Sequence, residues 1–217
     1  MIVAIDGPAG SGKSTTAKLV AQRLGYKCID SGATYRAVAL AVKRNGVNPK
    51  CEALVERLSS RLQIDFKGGK VFLNNEDVTQ AIRDEEVGKL ASLCATYKGV
   101  RENMVSLQRR LADNQPVICE GRDIGTVVFP NADLKIYMDA NLPVRAKRRK
   151  KELSERGLNK DFKSIIRDLK ARDTQDKSRQ HSPLRVPEGA FIIDTTNLSI
   201  EEEVEKVIKI IMNFKPK

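Results

Sequence analysis

Eight consecutive residues, Gly7-Pro-Ala-Gly-Ser-Gly-Lys-Ser14, set glycines, a lysine and a hydroxyl at the spacing G-x-x-x-x-G-K-[ST]. The chemistry this spacing serves is the holding of phosphate. Gly10 and Gly12 let the backbone curl so that successive N–H groups turn inward at the start of a helix, where an anion is favoured. Gly7, Pro8, Ala9 and Ser11 complete the cradle, and Thr15 carries it into the helix. Lys13 is placed to meet the β- and γ-phosphates and Ser14 to ligate a divalent cation, so the expected cofactors are ATP, as phosphoryl donor, and Mg2+.

A phosphate loop does not say whether the phosphoryl group goes to water or to a second substrate. The guanine-reading N-K-x-D pattern is absent, since Asn159-Lys-Asp161 has the wrong spacing, and the D-x-x-G match at Asp65 to Gly68 falls on a predicted hairpin. That argues against a GTPase. Two other segments carry acceptor-side chemistry. Asp30-Ser-Gly-Ala-Thr-Tyr-Arg36 follows a short apolar run, which sets Ser31 and Arg36 where an open α/β sheet binds ligands. Taken alone, the same pattern also describes a helix capped by Ser31 with a surface arginine one turn in. Glu120-Gly-Arg-Asp123 follows another apolar run, and Glu120 stands where such enzymes place the acidic partner of Mg2+, a carboxylate expected to meet the ion through water.

Taken together, GPAGSGKS, DSGATYR and GRDIGTVVFP, in this order and spacing, resemble the bacterial-type cytidylate kinases over essentially the whole chain. The resemblance implies a P-loop kinase fold: a central five-stranded parallel sheet flanked by helices, a small inserted α+β lobe and a helical lid. It implies transfer of the γ-phosphoryl group of MgATP to CMP or dCMP, giving ADP and CDP or dCDP. Ser31, Arg36 and Arg122 would surround the acceptor phosphate, Ser92 and Arg101 would approach the base, and Asp123 would contact it as well. Chemistry supports the last of these, because cytosine N4 is an amino donor that a carboxylate accepts, whereas uracil offers an acceptor there. Within Arg172-Asp-Thr-Gln-Asp176-Lys-Ser-Arg179, Arg172 and Asp176 would reach the sugar and Arg179 the phosphate; without the resemblance, a solvated helix end describes the stretch equally. Glu120 stands where the family carries Asp, which keeps the charge, and Gln175 where it carries a further arginine.

The formal charge of +11 concentrates between Pro143 and Arg179. Arg145, Arg148 and Arg149 share one surface of a predicted helix. A nucleotide kinase must exclude water, and a closing lobe does so; Arg145 and Arg148 would then stabilise the transferring phosphoryl group, leaving Lys147, Lys150 and Lys151 to solvate the helix. His181, the single histidine, has no expected role because the acceptor phosphate is already anionic.

The elements that must position these residues follow from periodicity. Short runs at Ile2 to Ile5, Cys28 to Ile29, Val117 to Cys119, Leu134 to Met138 and Phe191 to Ile193 read as strands, with amphipathic stretches between them, which implies a parallel sheet. Helices are predicted at Ser14 to Leu24, Ala33 to Asn45, Cys51 to Leu58, Lys98 to Ala112, Val144 to Arg156, Phe162 to Arg172 and Val204 to Met212, with Gly25, Gly46 and Gly157 as stops. Ser199-Ile-Glu-Glu202 matches a capping box ahead of the last. Gln63 to Leu73 reads as two strands around Gly68-Gly69, followed by an Asn74-Asn75 turn, within an inserted lobe at 60–97 that would bind CMP. The remainder is one domain over 1–217, with 143–179 as lid and acceptor-binding segment, and Lys215-Pro-Lys217 as a frayed end.

At 217 residues, 41% hydrophobic and 31% charged, the chain is sized for one sizeable core. An acidic residue at position 6 precedes any signal-length apolar run, no membrane-length run occurs, and Cys28, Cys51, Cys94 and Cys119 form no C-x-x-C pair, so a cytoplasmic monomer with buried reduced thiols is expected. The rival readings are a P-loop kinase for another acceptor, such as shikimate, and a nucleotide-gated nucleic-acid-binding protein. Five per cent aromatics and no stacking motif argue against nucleic acid as a partner.

Overall fold

The computed structural model describes residues 1–112 and 115–214. The C-terminal Lys215 to Lys217 segment, read above as a frayed end, lies outside the described residues. Two compact units are present: one joins 1–27 to 116–217 and the other spans 28–115.

In the first unit, Ile2–Asp6 forms β1, in which Val3, Ala4 and Ile5 are fully buried. A strand apolar on both faces belongs inside a parallel sheet, and β1 pairs in parallel with β6 (Val117–Gly121) and β7 (Leu134–Asp139). Strand β8 (Phe191–Asp194) continues the sheet beside β7. With β2 (Lys27–Asp30) the sheet has the five strands that the sequence predicts, and their order is β2-β6-β1-β7-β8. Register sets Asp6 opposite both Gly121 and Tyr137, and Asp139 opposite Asp194, so these carboxyl ends share one edge.

Helix α1 (Lys13–Leu24) leaves that edge and stops at Gly25 with φ 69°. Helices α6 (Leu142–Glu155) and α7 (Phe162–Ser178) pack on each other through Ala146, Leu153, Ile165 and Leu169, joined by Ala9 of the phosphate loop. Helix α7 continues past the predicted end at Arg172 to Ser178, through residues with no apolar period. Helix α8 (Ile200–Asn213) begins with the predicted capping box and buries Val204, Val207 and Ile211.

In the second unit, α2 (Ser31–Arg44) is apolar almost all round, and an Ala-rich helix of that kind belongs in an interior. Its cap is Asp30, whose Oδ1 accepts from Ala33 N–H at 2.9 Å, so the capping role considered for Ser31 falls to its neighbour. Around α2 lie α3 (Glu52–Ser59), α4 (Glu85–Cys94) and α5 (Lys98–Leu111). The hairpin is as read: β3 (Ile64–Lys67) and β4 (Lys70–Leu73) meet at Gly68 and Gly69, and Asn74 and Asn75 turn into β5 (Glu76–Asp77). Val38, Val55, Val71, Ile82, Val87 and Met104 join these pieces in one apolar core, which holds the 60–97 segment. All four cysteines are reduced thiols outside any disulfide; Cys94 and Cys119 are buried as expected, whereas Cys28 and Cys51 are half-buried. Burial pushes the Cys94 thiol up to about 11, which keeps it protonated and inert. Among the described residues, no helix is long and apolar enough to cross a membrane.

Candidate active site

The phosphate loop runs from the end of β1 into the first turn of α1. Gly10 adopts φ 78°, and a Cβ there would meet Arg145 Cβ at 3.1 Å, so glycine is required for conformation and for space. Lys13, 5% exposed, folds back to donate from Nζ to Pro8 O at 3.2 Å and lies 3.9 Å from Glu120 Oε2. Ser14 Oγ donates to Glu120 Oε1 at 2.6 Å. A hydroxyl and a carboxylate therefore sit together beside the lysine, across a sequence separation of 106. Ser11 Oγ is buried without a protein partner, a donor left over inside the loop. Pro8 and Ala9 are buried, and Ser14 and Thr15 face outward.

Asp6, at the end of β1, was not anticipated. Its carboxylate is fully buried and accepts from Ile124 N–H at 2.7 Å and Gly125 N–H at 2.8 Å. These two bonds fix the wide π-type turn over Ile124–Val128 that follows Asp123. Burial pushes the Asp6 carboxyl up to about 6, against the opposing pull of the two N–H groups.

Arg122, Asp123, Arg172, Asp176 and Arg179 form one charged cluster in this unit. Arg122 Nε donates to Asp176 Oδ2 at 2.8 Å, and Arg179 lies 3.7 Å from Asp123 and 3.8 Å from Asp176. Burial alone would raise the Asp176 carboxyl, but the fields of Arg122, Arg172 and Arg179 outweigh it and hold that carboxyl below its ordinary value. Arg179 Nε also donates to Ser182 O at 2.5 Å, which anchors the end of α7.

Arg145 and Arg148 lie one turn apart on α6, each in a network of its own. Arg145 donates to Ala140 O, Ala9 O and, through both Nη atoms, Asp173. Arg148 donates to Thr195 Oγ1 and O, Leu198 O and Glu203. Lys147, Lys150 and Lys151 are exposed, as their solvating role predicts. His181 is half-buried in the loop after α7.

The second unit holds Ser31, Arg36, Ser92 and Arg101. Ser31 is buried at the start of α2, and Arg36 Nη1 donates to Ile82 O at 2.9 Å beside Gly88. Ser92 Oγ donates back along α4 to Gly88 O at 3.2 Å. Arg101, 3% exposed, donates to Ala95 O and stacks its guanidinium 5.3 Å from the Tyr35 ring centroid. Tyr35 thus supports Arg101, which its place beside Arg36 in the sequence did not indicate.

A parallel sheet with a glycine-rich loop at its carboxyl edge, a lysine folded over that loop and a Ser14–Glu120 pair beside it define a P-loop phosphotransferase. The family model described as cytidylate kinase matches residues 3–213. Proteins named cytidylate kinase include one from Caldicellulosiruptor bescii, 48% identical over 96% of this chain and 94% of that one. Those from Thermotoga neapolitana and Leuconostoc mesenteroides are each 45% identical, over 96% and 97% of this chain and 96% of either relative. This chain belongs to the cytidylate kinase family. Among solved structures, an uncharacterized protein from Eubacterium ventriosum aligns at TM-score 0.54 and 12% identity, covering 98% of this chain and 99% of its own. At that identity the likeness concerns the fold.

Proposed function

We propose that this chain carries the γ-phosphoryl group of MgATP directly to CMP or dCMP, releasing ADP and CDP or dCDP, by in-line transfer without a covalent enzyme intermediate. The observation that carries the reading is the Ser14 Oγ to Glu120 Oε1 bond, 2.6 Å long, with Lys13 Nζ 3.9 Å from the same carboxylate. An alcohol oxygen and a carboxylate are the hard oxygen donors that Mg2+ prefers, and they stand at the mouth of a loop with an unpartnered buried hydroxyl at Ser11. The residues present therefore fit the cation, which Ser14 would hold directly and Glu120 through water. When bound, Mg2+ neutralises charge on the β- and γ-phosphate oxygens.

The segment Gly7 to Thr15 holds the donor phosphates through its backbone N–H groups, which every residue of it but Pro8 possesses, and Lys13 adds its charge at the β- and γ-oxygens. Arg145 and Arg148 stabilise the transferring phosphoryl group with their positive charge. On the acceptor, Ser31, Arg36, Arg122 and Arg179 bind the phosphate and Arg172 and Asp176 the sugar, while Ser92, Arg101 and Asp123 read the base. The acceptor oxygen is already anionic, so positioning and electrostatics suffice without a general base.

A coupled assay supplying ATP with CMP, dCMP, UMP or AMP tests the reading. CMP and dCMP should be used with kcat/KM roughly tenfold or more above UMP, the discrimination expected of one carboxylate-to-amino contact, and above AMP, whose amino group sits on a larger purine ring. Turnover of none of them, or equal turnover of all four, would overturn it.

A further inference from the structure

Glu203 is the fourth residue of α8 and is fully buried. The apolar face of that helix is already complete in Val204, Val207 and Ile211. A buried carboxylate is costly, and an apolar residue of like volume is commonly neutral or stabilising in its place, so packing alone does not account for Glu203.

Its contacts all lead to the phosphate loop. Glu203 Oε2 accepts from Thr16 Oγ1 at 2.7 Å, in the first turn of α1. The same oxygen stands where a Gly12 side chain would begin: a Cβ on Gly12 would lie 2.3 Å from it. Gly12 has φ 93°, so the turn ahead of Lys13 is left-handed and has no side chain to brace it. Glu203 Oε1 accepts from Arg148 Nη2 at 2.7 Å, which balances the buried charge. Arg148 in turn donates to Thr195 Oγ1, and Thr195 Oγ1 donates to Ser11 O at 2.9 Å. The network thus touches the chain at Ser11, Gly12 and Thr16, on either side of Lys13 and Ser14.

We propose that Glu203 is a positioning residue for phosphoryl-donor binding: held by Arg148, it braces Gly12 and Thr16 and so fixes the loop backbone around Lys13 and Ser14. The inference rests on the reading of the loop as the ATP site. Glu203 itself touches neither substrate. Its effect falls on the donor and not on the acceptor, a split that simple loss of stability would not produce.

The test uses Glu203→Gln and Thr16→Val in the full chain, both of which leave every arginine in place. Thr16→Val is isosteric and removes only the hydroxyl, so it remains informative if Glu203→Gln folds poorly. Glu202→Ala serves as a control, since it removes the capping box from the same helix and lies outside the network. The affinity for MgATP, measured by calorimetry without acceptor, should weaken about tenfold in Glu203→Gln and by a smaller factor in Thr16→Val. CMP affinity should be unchanged, and Glu202→Ala should lower the melting temperature while leaving the ATP affinity alone. Unchanged ATP affinity in both variants, or equal loss for ATP and CMP, would overturn the role of Glu203. Wild-type protein that does not bind MgATP would instead overturn the reading of the loop.

Discussion

The Arg145 guanidinium and the Asp173 carboxylate meet as a two-pronged pair, Nη1 to Oδ1 at 3.0 Å and Nη2 to Oδ2 at 2.7 Å. The pair ties α6 to α7, and Arg145 passes the connection to the phosphate loop at Ala9 O. Side-chain exposures of 8% and 17% make it a largely buried pair, in which loss of one partner strands the other's charge. Asp173→Ala should therefore destabilise the protein by about 3–5 kcal/mol, read from urea denaturation. Arg145→Lys should also be costly, because an ammonium cannot make the parallel bonds. A loss under about 1 kcal/mol in both would show the pair to be energetically idle.

Lys13→Met removes the ammonium folded back onto Pro8 O of the phosphate loop while keeping a long, mostly buried stem. Transfer should be abolished, with the circular dichroism spectrum unchanged. Near-normal turnover in a folded variant would remove Lys13 from the mechanism.

Asp123 is buried beside Arg179. Asp123→Ala should weaken CMP binding by about 1–3 kcal/mol and narrow the preference for CMP over UMP. If affinity falls with the preference intact, Asp123 organises the arginine cluster and does not read the base.

The Asp6 carboxyl, pushed up by burial to about 6 from an ordinary 3.8, holds its proton more tightly in the folded chain than in the unfolded one. Its contribution to stability is therefore fully present below about pH 4 and is lost as pH rises through 6. The change is on the order of 2–3 kcal/mol. Asp6→Asn, neutral throughout, should flatten the decline in denaturation free energy between pH 4 and 7. A carbon-13 NMR titration of the wild-type carboxyl should show a midpoint near 6, and a midpoint near 4 would remove the effect.

The local rules served well where the signal lies in neighbouring residues. The Gly68-Gly69 and Asn74-Asn75 turns, the Ser199 capping box and the glycine stops were legible because turn and cap chemistry is decided within a few residues. The same kind of signal, Asp84 followed by Glu85 and Glu86, could have marked α4, whose cap is Asp84 accepting from Glu86 and Val87 N–H. The extension of α7 to Ser178 was hidden because its last residues have no apolar period; Asp173 and Asp176 are held instead by Arg145 and Arg122, from distant parts of the chain.

By itself, the sequence determined that a glycine-rich loop would lead from the first strand into a helix at Lys13, that a parallel sheet would present that loop, and to which family the motif order belongs. Each depends on spacing along the chain, which backbone geometry converts directly into turns, strands and helix starts. Only the tertiary structure decided that Asp6 would pin the turn after Asp123, that Asp173 would engage Arg145, and that Glu203 would lie against Gly12. A buried carboxylate is defined by the donors that compensate it, and those donors come from elsewhere: Thr16 and Glu203 are 187 residues apart in sequence and 2.7 Å apart in the fold.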